Sequence, residues 1–227
     1  VSTDRPTTEE AIEAWRERTV GQKETFNLAV IHLLEELTKG EPVSKKRASE
    51  LLGVPGEKID KMFLAIDAAA GQLDDQGSFI GMALTLKPTR HSFRVNGNDM
   101  YAWCSLDTIL LPGILEAEGE IESKDPVTGE TIRLTVTADQ VVELEPADAV
   151  TSIFVPGKTP TETKDSQPVV GADSEVCRSM LFYESRETAE QALENYPNIA
   201  VFTIEEAFDL ARETWTEPAR QLRHQDA

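Results

Sequence analysis

The spacing of apolar residues changes character along this chain, and that change limits the folds open to it. Between residues 26 and 66, hydrophobic side chains recur at helical intervals. Phe26, Ala29, Val30, Leu33, Leu34 and Leu37 share one face, which Gly40 and Pro42 bring to an end. Ser44 then caps a second helix with Ala48, Leu51 and Leu52 inward. After a turn at residues 53–56, Ile59, Met62, Phe63 and Ile66 form a third stripe. Beyond a polar break at 74–77, residues 79–86 and 91–95 read as two strands joined by a turn at Pro88. Three helices followed by a hairpin outline a winged-helix-like module.

The later chain mixes both periods. Residues 106–115 read as a helix interrupted at Pro112 and Gly113. Residues 118–123 and 131–136 alternate around Asp125-Pro126-Val127-Thr128-Gly129, a hairpin signature. Residues 140–144 and 149–155 read as further strands. The segment 156–174 is rich in Pro, Thr, Gly and Asp and reads as a flexible loop, with lid movement an alternative. Next come a strand at 176–183, a helix at 186–195 capped by Ser185, and a short strand at 199–202. A capping box, Thr203 with Glu206, opens the last helix; Thr7 and Glu10 form another at the start. That first helix is thin in apolar content (Ile12, Ala14, Trp15), which suits an appended arm.

The expected fold class is α+β: an N-terminal three-helix winged-helix-like domain followed by a mixed β-sheet core with flanking helices. Its expected divisions are an arm (1–21), the winged-helix-like domain (22–88) and an α+β domain (89–227) that carries the chemistry.

Charge narrows the partners. Against 22 Lys and Arg stand 41 Asp and Glu, a formal net charge of −19 spread along 227 residues. Such a field repels nucleic-acid phosphates and anionic lipid, so neither nucleic acid nor membrane is an expected partner. It also keeps a protein dispersed in salt, which a salt-loving host would require. Lys45, Lys46 and Arg47 could meet phosphates, but the third helix carries the mixed set Glu57, Lys58, Asp60 and Lys61. No basic start is paired with an apolar run, and residues 28–34 are too short to span a bilayer. The expected location is cytoplasmic, where two cysteines are thiols rather than a disulfide.

Those cysteines, Cys104 and Cys177, are the residues that could carry chemistry. Cys104 lies where the chain passes from extended to helical, and a helix N-terminus stabilises a thiolate. Asp107, three residues on, returns alongside the sulfur after one turn. Cys177 follows the long loop, and spacing alone leaves open whether it meets Cys104. The bland readings are core packing for each cysteine and helix capping for Asp107. Trp103 reads as ordinary core, with a wall for the site as the alternative. His32, His91 and His224 form no ligand pattern.

The stretch YAWCSLDTILLP at residues 101–112 resembles the active-site segment of organomercurial (alkylmercury) lyases. The likeness continues through Thr128-Gly129, Leu134-Thr135-Val136, VELEP at 142–146, Val176-Cys177, Phe182 and Glu206-Ala207-Phe208. Upstream it takes in residues 40–44 and 80–86, so it covers most of the chain beyond about residue 22.

The resemblance implies protonolysis of a carbon–mercury bond to a hydrocarbon and Hg(II). Cys104 and Cys177 would be the thiolates, and Asp107 the proton shuttle in contact with the mercury. It implies no organic cofactor, an organomercurial substrate, and soluble thiols or mercuric reductase as acceptors of Hg(II). Two positions depart from the family: Arg178 replaces a second adjacent cysteine, and Asp125 replaces another. The rival readings are a non-catalytic soft-metal thiol-binding protein or metallochaperone, for which Asp107 would be superfluous, and a redox pair, disfavoured by the absence of Cys-x-x-Cys.

Overall fold

The computed structural model describes residues 5–20, 28–157, 171 and 174–226. Phe26, and most of the loop expected at 156–174, lie outside the described residues, as does any lid built from that loop.

Helix α1 (Thr8–Val20) is opened by the expected capping box, Thr7 N–H donating to Glu10 at 3.0 Å and Glu10 N–H to Thr7 Oγ1 at 3.2 Å. It is more than an arm. Ala11 and Trp15 are buried, the Trp15 indole donates to the Phe154 carbonyl at 2.8 Å, and its ring meets Trp215 edge-on. Few apolar residues were needed because the large one is placed inward.

Helices α2 (Leu28–Leu37), α3 (Lys45–Leu52) and α4 (Gly56–Ala68) follow the three stripes, with Ile31, Leu33, Leu34, Leu37, Ile59 and Phe63 at their buried centre. Ser44 caps α3 as expected, accepting from Arg47 N–H at 3.1 Å.

An eight-stranded antiparallel sheet follows: β1 (Gln72–Leu73), β2 (Phe79–Met82), β3 (Leu84–Thr85), β4 (His91–Val95), β5 (Asn98–Ala102), β6 (Gly119–Lys124), β7 (Thr131–Val136) and β8 (Val141–Glu145). Its order is β1-β2-β3-β5-β4-β6-β7-β8. The expected single strand at 79–86 is folded back on itself at Ala83, whose φ is +62°, pairing Gly81 with Thr85. Gly81 permits this, because a Cβ there would lie 2.7 Å from the Leu84 carbonyl oxygen. Strand β5 then enters between β3 and β4, so the two strands expected to pair are not neighbours. The β4–β5 hairpin turns at Asn96-Gly97, both at positive φ, an Asn-Gly hairpin signal that escaped the sequence reading together with β5.

Helix α5 (Ser105–Leu115) leaves β5 and runs unbroken through Pro112. All of its residues except Asp107 are buried, and this packing outweighs the few kcal/mol, about 3, that an interior proline costs. A second sheet, order β10-β9-β11, consists of β9 (Val150–Phe154), β10 (Phe182–Tyr183) and β11 (Ile199–Thr203). Between β9 and β10 lies a short helix, α6 (Glu175–Ser179), where a strand was expected; Ser174 caps it. Helix α7 (Arg186–Ala192) is capped by Ser185, and α8 (Ile204–Ala211) by the expected Thr203–Glu206 box. A π-turn at Arg212–Thr216 leads into α9 (Glu217–Asp226). The fold is thus α+β, an antiparallel sheet with flanking helices. Among the described residues no helix is long and apolar enough to cross a membrane.

Candidate active site

Two helices bring the chemistry together. The extended backbone of Cys104 (φ −148°, ψ 173°) makes it the N-cap of α5, and Asp107 occupies the third helical position. One turn of helix therefore places the carboxylate beside the sulfur, and Cys104 Sγ donates to Asp107 Oδ2 at 3.1 Å. Cys177 stands at the third position of α6, where its N–H donates to Ser174 Oγ at 3.1 Å. The ligand atoms of Cys104, Asp107 and Cys177 all lie within 4.8 Å of one another. Chain spacing had left this meeting open, and the tertiary structure brings all three together.

Burial sets the electrostatics. Cys104 and Cys177 are 0% and 1% exposed. Burial, then contact with Cys177 and the neighbouring Asp107 charge, pushes the Cys104 thiol well above its usual range. This differs from the expected helix-stabilised thiolate. The first amide of α5, Ser105 N–H, is spent on the Met180 carbonyl at 3.1 Å, and desolvation outweighs the dipole. Although Asp107 as a residue is only half-buried, its carboxyl is enclosed, and desolvation pushes it up to about 6, partly offset by its bond from Cys104. The resting site therefore holds a protonated thiol donating to a carboxyl that titrates just below neutrality.

Ser174 escaped the sequence reading, although Ser-x-x-Cys at 174–177 is a legible cap. Ser105, Thr151 and Ser152 escaped it too, as hydroxyls buried in apolar surroundings give no periodic signal. Asp125, one of the two family departures, is buried and staples a turn. It accepts from Val127 and Thr128 N–H at 2.7 and 3.1 Å and from Glu184 N–H at 2.8 Å. Arg178, the other, is exposed. His91 stays outside the trio: its Nδ1 lies 3.0 Å from Ser123 Oγ, its ring meets Phe182 edge-on, and burial lowers its pKa to about 3.

Two soft sulfurs and one carboxyl around a single point form a donor set for a thiophilic metal, with a proton acceptor in the same shell. Residues 84–216 match the family model described as alkylmercury lyase. The alkylmercury lyase of Staphylococcus epidermidis is 34% identical over 180 residues, which cover 79% of this chain and 78% of that protein. That of Bacillus cereus is 36% identical over 79% and 77% of the two chains. That of Pseudomonas putida is 31% identical over 82% of each. The solved mercury-bound form of MerB2 superimposes with a TM-score of 0.68 at 17% identity, over 93% of this chain and 99% of that one, a likeness of fold.

Proposed function

The chain belongs to the alkylmercury lyase family and is an enzyme of carbon–mercury bond cleavage, and from that premise we propose how its residues divide the reaction. The observation that carries the proposal is the cluster of Cys104 Sγ, Asp107 and Cys177 Sγ within 4.8 Å.

Mercury is soft, so thiolates are the side chains that compete for it. Asp107 takes the proton of Cys104, to which it is already hydrogen-bonded, and the freed thiolate bonds to the mercury of R–Hg⁺. Cys177 gives up its proton to solvent and adds the second sulfur. The doubly ligated mercury is electron-rich and its carbon more basic. Asp107 returns its proton to that carbon, the C–Hg electron pair becomes the new C–H bond, and R–H departs. In balance, R–Hg⁺ and two thiols give R–H, a bis-thiolate Hg(II) and one proton. A carboxyl held near pH 6 can serve both as base and as acid at neutral pH.

The same proposal includes turnover without an organic cofactor and release of Hg(II) to soluble thiols or to mercuric reductase, in the cytoplasm. It also treats 22–88 as a winged-helix-like scaffold beside a catalytic domain at 89–227. The basic residues of α3 support a scaffold over a nucleic-acid reader, because Lys45 pairs with Asp60 at 2.6 Å and Arg47 with Glu36 at 2.8 Å.

A single-turnover reaction with phenylmercury and excess thiol tests the assignment. The expected result is one benzene per chain, falling about 10³-fold in Cys104→Ser or Cys177→Ser. Cleavage by Cys104→Ser at the parental rate would falsify it. Mercury bound with no benzene released would favour the binding-protein reading.

A further inference from the structure

Strand β9 carries two adjacent polar residues, Thr151 and Ser152, both 0% exposed and flanked by buried Val150, Ile153 and Phe154. Burying hydroxyls in such a strand is unfavourable unless each finds a partner. Apart from the Ser152 carbonyl of β9 itself, 3.4 Å from Thr151 Oγ1, and the Tyr183 side chain beside Ser152, their partners lie on the two segments that bear the sulfurs. Ser105, also 0% exposed and next to Cys104, has its Oγ 2.6 Å from Thr151 Oγ1. Thr151 Oγ1 in turn donates to the Leu181 carbonyl at 3.2 Å. Ser152 Oγ donates to the Ser179 carbonyl at 2.7 Å and accepts from Leu181 N–H at 2.9 Å. Ser105 N–H closes the ring on the Met180 carbonyl at 3.1 Å. One direction of donation satisfies the chain: Ser105 O–H to Thr151, then Thr151 O–H to Leu181.

We propose that Thr151, with Ser105 and Ser152, is a positioning residue whose buried hydroxyl chain fixes the distance between Cys104 and Cys177. The inference rests on the mercury-cleaving roles assigned above. Without the chain, the hydrogen bonds described from segment 179–181 to β9 and α5 would be reduced to backbone ones, Ser152 N–H to the Leu181 carbonyl and Ser105 N–H to the Met180 carbonyl. The second sulfur could then drift from the first by fractions of an ångström. Capture of R–Hg⁺ by one thiolate tolerates such drift, whereas the doubly ligated state that precedes proton transfer does not. The loss therefore falls on kcat rather than on KM.

Thr151→Val keeps the shape and strand preference of threonine and removes only the hydroxyl. With phenylmercury, kcat should fall about tenfold with KM changed less than about twofold. Mercury X-ray absorption of the loaded protein should show fewer than two sulfurs per Hg(II). Thr151→Ser, which restores the hydroxyl, should return kcat to within about twofold of the parent. Ser105→Ala interrupts the same chain from the α5 side and decides the matter if Thr151→Val does not fold. A kcat unchanged in the folded variant, or no rescue by serine, overturns the proposal. Parental release of benzene beside an unaffected variant would sink the clamp alone, whereas failure of the parent itself would sink the catalytic assignment.

Discussion

The two sulfurs are carried by segments of very different build. Cys104 caps an eleven-residue helix in which only Asp107 escapes full burial, so its position is set by the whole core. Cys177 rides on a five-residue helix with two buried residues, held by a serine cap and by contacts from β9. An isolated helix of that length has no stability of its own. The contrast teaches that one sulfur and the carboxyl are fixed with the fold, while the second sulfur is held by a few identifiable hydrogen bonds. Local opening of α6 should therefore cost far less than global unfolding.

Asp107→Asn puts the fixed side to its most severe test. Mercury should still be captured, while kcat falls about 10²–10³-fold for want of a proton shuttle. The parental kcat/KM should rise through about pH 6 as Asp107 ionises, and that limb should vanish in the variant. The same substitution should stabilise the fold. Because the folded carboxyl holds its proton up to about 6 against an ordinary 3.8, the folded state binds more protons between those values. Stability contributed by this group thus declines as pH rises from about 4 to about 6, and stays low above. The gap corresponds to about 3 kcal/mol. Urea titrations at pH 8 should place the variant above the parent, with the advantage gone below pH 4. Coincident midpoints at pH 8 would remove burial as the cause of the shift.

Gly113→Ala tests whether α5 is tied to the whole fold. A methyl there would overlap the buried side chain of Thr216. The expected loss is about 2 kcal/mol, seen as a lower Tm, with kcat of the folded fraction within about twofold of the parent. An unchanged Tm would mean that the helix can shift, and that Cys104 is less fixed than its burial implies.

Ser174→Ala gives the smallest effect and tests the other side. Losing the cap costs about 1 kcal/mol, confined to α6. Cys177 should react about fivefold faster with a thiol reagent while Cys104 keeps its rate, and Tm should barely move. Equal acceleration at both thiols would erase the distinction between the segments.

Elements written in local code were legible from the residues. The stripes of α2 to α4, the Ser44, Ser185 and Thr203 caps, and the β6–β7 hairpin around residues 125–129 lie where spacing and capping chemistry put them. The differences arise where a local signal met a stronger remote one. Residues 79–86 read as one strand, but Gly81 allows a close fold-back and β5 takes the edge so exposed. Pro112 signals a break, but the burial of nearly every neighbour holds the helix together. Residues 176–179 read as extended, yet the Ser174 cap closes a helical turn there.

The same division holds in the site. Cys104 and Asp107, three residues apart at a helix start, were bound to meet, because a helical turn is a property of consecutive residues. That Cys177 joins them, that an acid near pH 4 in water titrates near 6, and that hydroxyls from a distant strand brace both sulfurs were decided by packing. Desolvation and long-range contact depend on what surrounds a group, and that information exists only once the chain has closed on itself.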